Sequence, residues 1–276
     1  MHGLRSALLP LLVCAGLFAT SASGDTLYAV FGNSFGTLDP TTGNFTTLGA
    51  SPNVIGMGFA PNGTMYATEF GPGVDQVDPS SGNLTPLFST LYSAGGSTVG
   101  SDGLIYAFNQ DFSNVNFYSI NPVSQAVILI SSGLGFASDG LAVFANGLFY
   151  TDARNNITGV DTLESVNPVT GATTQIGTGF GLNSGAPIQI FAGANINGTI
   201  YAGGPVSDGN LYTINLTGPL AGRATLDVAT NGGDDLFALA SVPEPSTATL
   251  AGAGIALIGL VVTVRRRRPK SSSSLS

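Results

Sequence analysis

Five tyrosines, Tyr28, Tyr66, Tyr106, Tyr150 and Tyr201, recur along this chain at spacings of 38, 40, 44 and 51 residues, each inside a similar cassette. A period of this size marks a fold built by repetition, in which each copy buries its apolar face only against its neighbours. The cassette is a turn with glycine, a short strand carrying the tyrosine, a strand ending in Asp-Pro or Asn-Pro, a tight turn, and a threonine-rich strand. Its first copy runs through Tyr28, Asp39-Pro40-Thr41-Thr42-Gly43 and Phe45-Thr46-Thr47. Later copies begin with Asn62-Gly63, Asp102-Gly103, Asn146-Gly147 and Asn197-Gly198, and three of them contain Asp78-Pro79, Asn121-Pro122 or Asn167-Pro168. Asn-Gly and Asp-Gly supply the positive φ angles of a two-residue hairpin, so all four such turns are expected to be hairpins of that kind. Asp-Pro-x-x-Gly sets a turn through proline's fixed φ and ends it on a permissive glycine. An apolar segment precedes the glycine turns, most clearly at residues 54–59, 141–144 and 188–191, and supplies a fourth, innermost strand.

Four strands per copy and about 40 residues per repeat describe the blade of a β-propeller. The expected fold is therefore all-β, a five-bladed β-propeller over residues 24–241. The first copy lacks an innermost strand, and the segment 235–240 has no partner after it. Pairing that C-terminal strand with the N-terminal blade closes the ring and removes its open edges. A two-layer sandwich is the competing arrangement. The Asp-Gly-x-x-Tyr and Asp-Pro-x-x-Gly signatures resemble extracellular propeller repeats of the NHL type.

The two ends of the chain read differently. Arg5, an apolar stretch from Leu8 to Phe18 and small residues up to Ser23 have the layout of a secretory signal peptide, residues 1–23. At the other end, Pro243-Glu244-Pro245 precedes a 17-residue uncharged run, 248–264, and then Arg265, Arg266, Arg267 and Arg268. That run is just long enough for a membrane helix, and an arginine cluster beside a span stays on the cytoplasmic side, so the body lies outside. This tail, residues 242–268, resembles the PEP-CTERM sorting domain of Gram-negative bacteria, which is also found on some ice-binding proteins. The resemblance implies recognition of Pro243, Glu244 and Pro245 by an exosortase, Arg265 to Arg268 as the stop-transfer cluster, a single membrane pass before processing, and delivery to the cell envelope, cell surface or extracellular polymer. Residues 269–276, with Pro269, Lys270 and a run of serines, extend past the arginines as an expected disordered tail.

Charge and residue usage narrow the function. Between positions 25 and 240 the chain has 15 acidic residues against Arg154 and Arg223, a net charge of −13. So acidic a surface repels phosphate backbones, which excludes nucleic acid as a partner. Cys14 and His2, the only cysteine and histidine, fall in the signal segment. Losing them removes disulfides, imidazole catalysis, Ser-His-Asp triads and thiolate or imidazole metal sites, and no cofactor motif occurs. The six Asn-x-Thr triplets read as turn and strand residues. On the face opposite the glycine turns, the loops are expected to hold Glu69, Asp75, Asp111, Asp139, Asp152, Asp161, Glu164, Asp208, Asp234 and Asp235. A non-catalytic binding or structural module, with extracellular polysaccharide as a candidate partner, is the leading reading. The alternatives are a secreted polysaccharide hydrolase or lyase, using Asp152, Asp161 and Asp208 as funnel carboxylates, and a calcium-dependent lectin-like adhesin.

Overall fold

A computed structural model describes residues 26–109, 115–138, 140–154, 161–182, 188–204 and 210–242. The signal peptide 1–23, the residues Pro243 to Pro245, the apolar run 248–264, the four arginines and the tail lie outside the described residues, as do Asp111, Asp139 and Asp208. The described residues form 21 strands and no helix, so none among them is long and apolar enough to cross a membrane.

In chain order the strands are β1 (Leu27–Phe31), β2 (Ser34–Leu38), β3 (Phe45–Ala50), β4 (Val54–Phe59), β5 (Met65–Glu69), β6 (Gly73–Val77) and β7 (Leu84–Ser89). Then come β8 (Ala94–Val99), β9 (Ile105–Asn109), β10 (Phe117–Ile120), β11 (Val127–Ser131), β12 (Val143–Ala145), β13 (Leu148–Arg154), β14 (Asp161–Val166) and β15 (Thr173–Ile176). The last are β16 (Gly181–Leu182), β17 (Ala192–Ile196), β18 (Thr199–Gly203), β19 (Asn210–Ile214), β20 (Arg223–Ala229) and β21 (Leu236–Ser241). They make five antiparallel sheets, β21-β1-β2-β3, β4 to β7, β8 to β11, β12 to β15, and β17 to β20 with β16 added in parallel to β20. The inner strands β21, β4, β8, β12 and β17 each contact the next, and β17 returns to β21. That cycle is a five-bladed propeller and rules out two stacked layers.

Closure occurs where the sequence places it. β21 runs antiparallel to β1 with Tyr28 opposite Ala240 and Val30 opposite Ala238, and the Gly32 N–H donates to the Asp235 carbonyl at 2.8 Å. The inner-strand segments are only partly as expected: 54–59 is β4 itself, whereas the fourth and fifth inner strands start at Val143 and Ala192.

The turns divide into two kinds. Asn146-Gly147 and Asn197-Gly198 have positive φ at both positions and close two-residue hairpins, Ala145 opposite Leu148 and Ile196 opposite Thr199. Asn62-Gly63 and Asp102-Gly103 differ from the expectation, because only the glycine is left-handed and five residues separate the paired ends, Phe59 from Met65 and Val99 from Ile105. Both turns close alike: the Gly63 and Gly103 N–H groups donate to the Ala60 and Gly100 carbonyls at 2.9 and 3.0 Å, and Asn62 and Asp102 cap them by accepting the Thr64 and Leu104 N–H groups at 3.0 and 3.1 Å. The Asp-Pro turns behave alike: Asp39 Oδ1 accepts from Thr41 N at 2.8 Å, and Asp78, Asn121 and Asn167 repeat the arrangement. These amide donors hold the Asp39 and Asp78 carboxyls below the usual range. The turn closes on a left-handed residue, which is glycine at 43, 82 and 171 but Gln125 in the third blade.

Five apolar clusters fill the five gaps between blades. The recurrent tyrosines belong to this packing, with Tyr66, Tyr106 and Tyr150 buried. Near the axis the inner strands approach so closely that a Cβ on Gly56 would overlap the Ser97 hydroxyl and main chain of the next blade.

Candidate functional site

The inner strands converge on a narrow axial recess with no room for even a water molecule. Its walls are Ile55, Gly56 and Met57 of β4, Ser97 of β8, Gly140 and Ala142 ahead of β12, Phe191 to Gly193 at β17, and Phe237 to Leu239 of β21. Small residues dominate because five strands meeting at one axis leave little room for side chains. Phe191 and Phe237 are half-buried and stack with ring centroids 6.2 Å apart and planes 18° from parallel. The one polar wall residue, Ser97, is occupied by its neighbour, since its hydroxyl lies 2.7 Å from that of Thr68 in the preceding blade. Among the described residues no carboxylate lines the recess.

The described acidic residues lie elsewhere. Glu69, Asp75, Asp152, Asp161 and Glu164, expected in loops, sit on strands β5, β6, β13, β14 and β14. Asp152 is buried, and its Oδ1 accepts the Leu141 N–H at 3.0 Å and the Ser138 hydroxyl at 3.2 Å. It thereby holds the segment that leads into inner strand β12. Asp161 accepts from Arg154 Nε at 3.0 Å, a half-exposed pair joined across the β13–β14 ladder. Asp152 lies two residues from Arg154 along β13, and Arg154 is opposite Asp161, so Asp152 and Asp161 share one face of one blade. They do not oppose one another across the axis. Burial raises the Glu164 carboxyl, with a counteracting hydrogen bond from Thr162 at 3.2 Å.

Asp75 carries a strongly perturbed carboxyl. It is 2 % exposed, its Oδ2 has no hydrogen-bond partner, and its pKa is pushed up to about 6, first by burial and then by the negative charge of Glu69. Nothing in the residue pattern around Asp75 signalled this; only its partner in the ladder, buried Ala67, reveals that it points into the interior. The sign of the consequence is fixed by the direction of the shift. The folded chain binds this proton more tightly than the unfolded one, so stability is undiminished below about pH 4, falls as pH rises to about 6, and is level above that. The full cost at pH 8 is at most about 3 kcal/mol. Urea unfolding of Asp75→Asn against the parent chain is expected to show the variant more stable at pH 8, with the difference closing as pH approaches 4.

Phe191 and Phe237 were also missed as site residues. Both fall in uninterrupted apolar runs, where a strand buried on both faces shows no alternation to distinguish axis from interface.

With this geometry in place, the comparisons with known proteins divide between the two parts of the chain. Residues 241–268 match the PEP-CTERM protein-sorting motif. The PEP-CTERM motif implies an exported protein of the cell envelope or surface that is processed by an exosortase. Its match begins at Ser241, the last residue of the closing strand β21. The body is similar in structure to a chain of a nidogen/laminin complex, with a TM-score of 0.51 and 9 % identity, covering 80 % of this chain and 99 % of that one. At that identity the likeness extends to the propeller fold alone. Glutaminyl cyclase from Myxococcus xanthus also matches, with a TM-score of 0.44 and 16 % identity over 74 % of this chain and 76 % of that one, too loosely to bear on function. No curated protein matches the chain by sequence.

Proposed function

We propose that this chain is an exported cell-surface or extracellular-matrix protein whose propeller is a non-catalytic binding or structural module. The observation that carries the reading is the axial recess, walled among the described residues by glycine, alanine, Ser97 and the apolar Ile55, Met57, Phe191, Phe237 and Leu239, where a funnel hydrolase would present facing carboxylates. The engagement of Asp152 with the main chain and of Asp161 with Arg154 supports structural work for both. In the proposed route the signal peptide 1–23 starts export, the helix 248–264 holds the chain in the membrane, Arg265 to Arg268 stop transfer, and an exosortase recognises Pro243, Glu244 and Pro245. The exported body then associates with extracellular polysaccharide through the recess face, where Phe191 and Phe237 offer apolar ring surface.

A glycan array paired with a hydrolysis screen, each run with and without calcium, tests this. Retention of one glycan class without chain cleavage is expected, reduced at least tenfold by Phe237→Ala. Cleavage of any polysaccharide that disappears in Asp161→Asn would overturn the non-catalytic reading, and calcium-dependent retention would move it to the adhesin.

A further inference from the structure

In each blade one residue lies opposite the one that follows the recurrent tyrosine, and the ladders make these five positions equivalent: Gly36, Asp75, Tyr118, Glu164 and Tyr212. Side chains two apart on a strand share a face, so the residue two places earlier stands beside each of them. In blades three, four and five that neighbour is a hydrogen-bond donor. Asn116 Nδ2 donates to the Tyr118 hydroxyl at 3.5 Å, the Thr162 hydroxyl to Glu164 Oε1 at 3.2 Å, and Asn210 Nδ2 to the Tyr212 hydroxyl at 3.2 Å. Blade one has glycine at the position itself and nothing there to satisfy. Blade two departs from the rule. Its neighbouring residue is Gly73, which brings no donor, and a second carboxylate fills the space that a side chain would take: a Cβ on Gly73 would overlap Glu69 Oε2. Ala67, the ladder partner of Asp75, packs with Val30 and Phe35 between blades one and two, and Glu69 is two residues further along β5, so both carboxylates are on the face that meets blade one. Asp75 is buried there with its Oδ2 unpartnered. A buried carboxylate oxygen that meets a second carboxylate, where its counterparts meet a donor, lacks a positive group.

We infer that Glu69 and Asp75 bind a calcium ion between blades one and two. Two carboxylates are hard oxygen ligands, which suit calcium and magnesium rather than the softer metals. Calcium is the better match because it accepts irregular oxygen shells, whereas magnesium demands a near-ideal octahedron that two carboxylates on separate strands do not set up. Among the described residues no third acidic group joins the pair, so the rest of the shell falls to neutral oxygens. Affinity is then expected in the range of roughly 10⁻⁴ to 10⁻³ M that extracellular calcium modules show. Neither residue lines the axial recess, so the ion holds two blades together and the inference is independent of what the recess face binds.

Thermal melts of the full chain at pH 8 test this, in EDTA and in about 10 mM calcium chloride, tenfold or more above the expected dissociation constant, with ionic strength matched by sodium chloride. Calcium is expected to raise the parent midpoint by roughly 4 °C or more and to move Asp75→Asn and Glu69→Gln by less than about 1 °C, since each keeps the shape and loses a charge. In EDTA Asp75→Asn is the more stable chain, as above, and calcium narrows or reverses that order. Asp227→Asn, at an exposed position on β20, is expected to respond as the parent does. A parent midpoint that calcium leaves unmoved would overturn the proposal and leave a shared proton as what reconciles the two carboxyls. A calcium shift of equal size in the parent, Asp75→Asn and Glu69→Gln would overturn it too, by placing the ion elsewhere. Each variant is compared with itself, so a destabilised fold does not imitate a lost calcium response.

Discussion

A chain shortened to end at Asp235 is expected to lose its cooperative thermal transition, whereas one ending at Val242 keeps it. The six residues of β21 complete the first sheet, line the axis and plug the gap between the last blade and the first. Leu236, Ala238, Leu239 and Ala240 are between 1 % and 3 % exposed, and Leu236 packs into the space that Gly203 leaves open. Burying Leu236 and Leu239 contributes about 1.5–3 kcal/mol each. That is a large share of the 5–15 kcal/mol by which domains are typically stable, before the β1 ladder is counted. Removing β21 also strips β1 of one set of hydrogen-bond partners, and a buried main-chain group left unpaired costs about 1–3 kcal/mol. Circular dichroism melts of the two chains decide the matter; a shared midpoint would mean that ring closure contributes little. The result bears on export, because the PEP-CTERM match starts at the last residue of β21. Processing beyond Val242 leaves the closing strand whole, and any cut within β21 opens the ring.

Phe149→Ala is expected to cost about 3–5 kcal/mol, the usual range for deleting a buried aromatic ring. Phe149 has no exposed surface and sits where blade three meets blade four. Its ring centroid is 5.1 Å from that of Phe108 at an 84° interplanar angle and 5.1 Å from that of Phe117 at 59°. Phe108 meets the ring edge to face and Phe117 packs against it at a tilt, so truncation leaves a cavity that neighbouring strands, pinned by their ladders, cannot close. Phe149→Leu keeps most of the volume and is expected to cost about half as much. Val169→Ala, at an exposed turn, is expected to change stability by under about 0.5 kcal/mol. Chemical denaturation of the three variants checks the series, and a Phe149→Ala cost near that of Val169→Ala would deny the inter-blade packing its role.

Much of this could be read from residues because propellers repeat locally. The five tyrosines count the blades, and the missing first inner strand together with the unpartnered 235–240 segment announces closure. The Asp-Pro turns were legible because an Asx side chain caps its own turn without help from elsewhere in the fold. Turn geometry failed at Asn62-Gly63 and Asp102-Gly103, where the paired strand ends stand five residues apart and only the glycine is left-handed, because loop length is set by the register of the flanking strands and not by the dipeptide. The acidic residues failed for a different reason. Asp75 and Asp152 stand beside loops in sequence, but whether such a residue faces solvent or the next blade depends on the register of a strand pair, and a shift of one residue reverses it.

The amino-acid order by itself determined the number of blades, the strand that seals the ring and the sorting motif that follows it, since each is written in short-range patterns of turns, apolar runs and charge. The tertiary structure alone decided that the axis is apolar, that Asp152 and Asp161 share one face of their blade and that Asp75 is buried with its Oδ2 unpaired. These are properties of distance between segments far apart in the chain. They come into being only when five sheets, each with its own twist and register, are set around one axis.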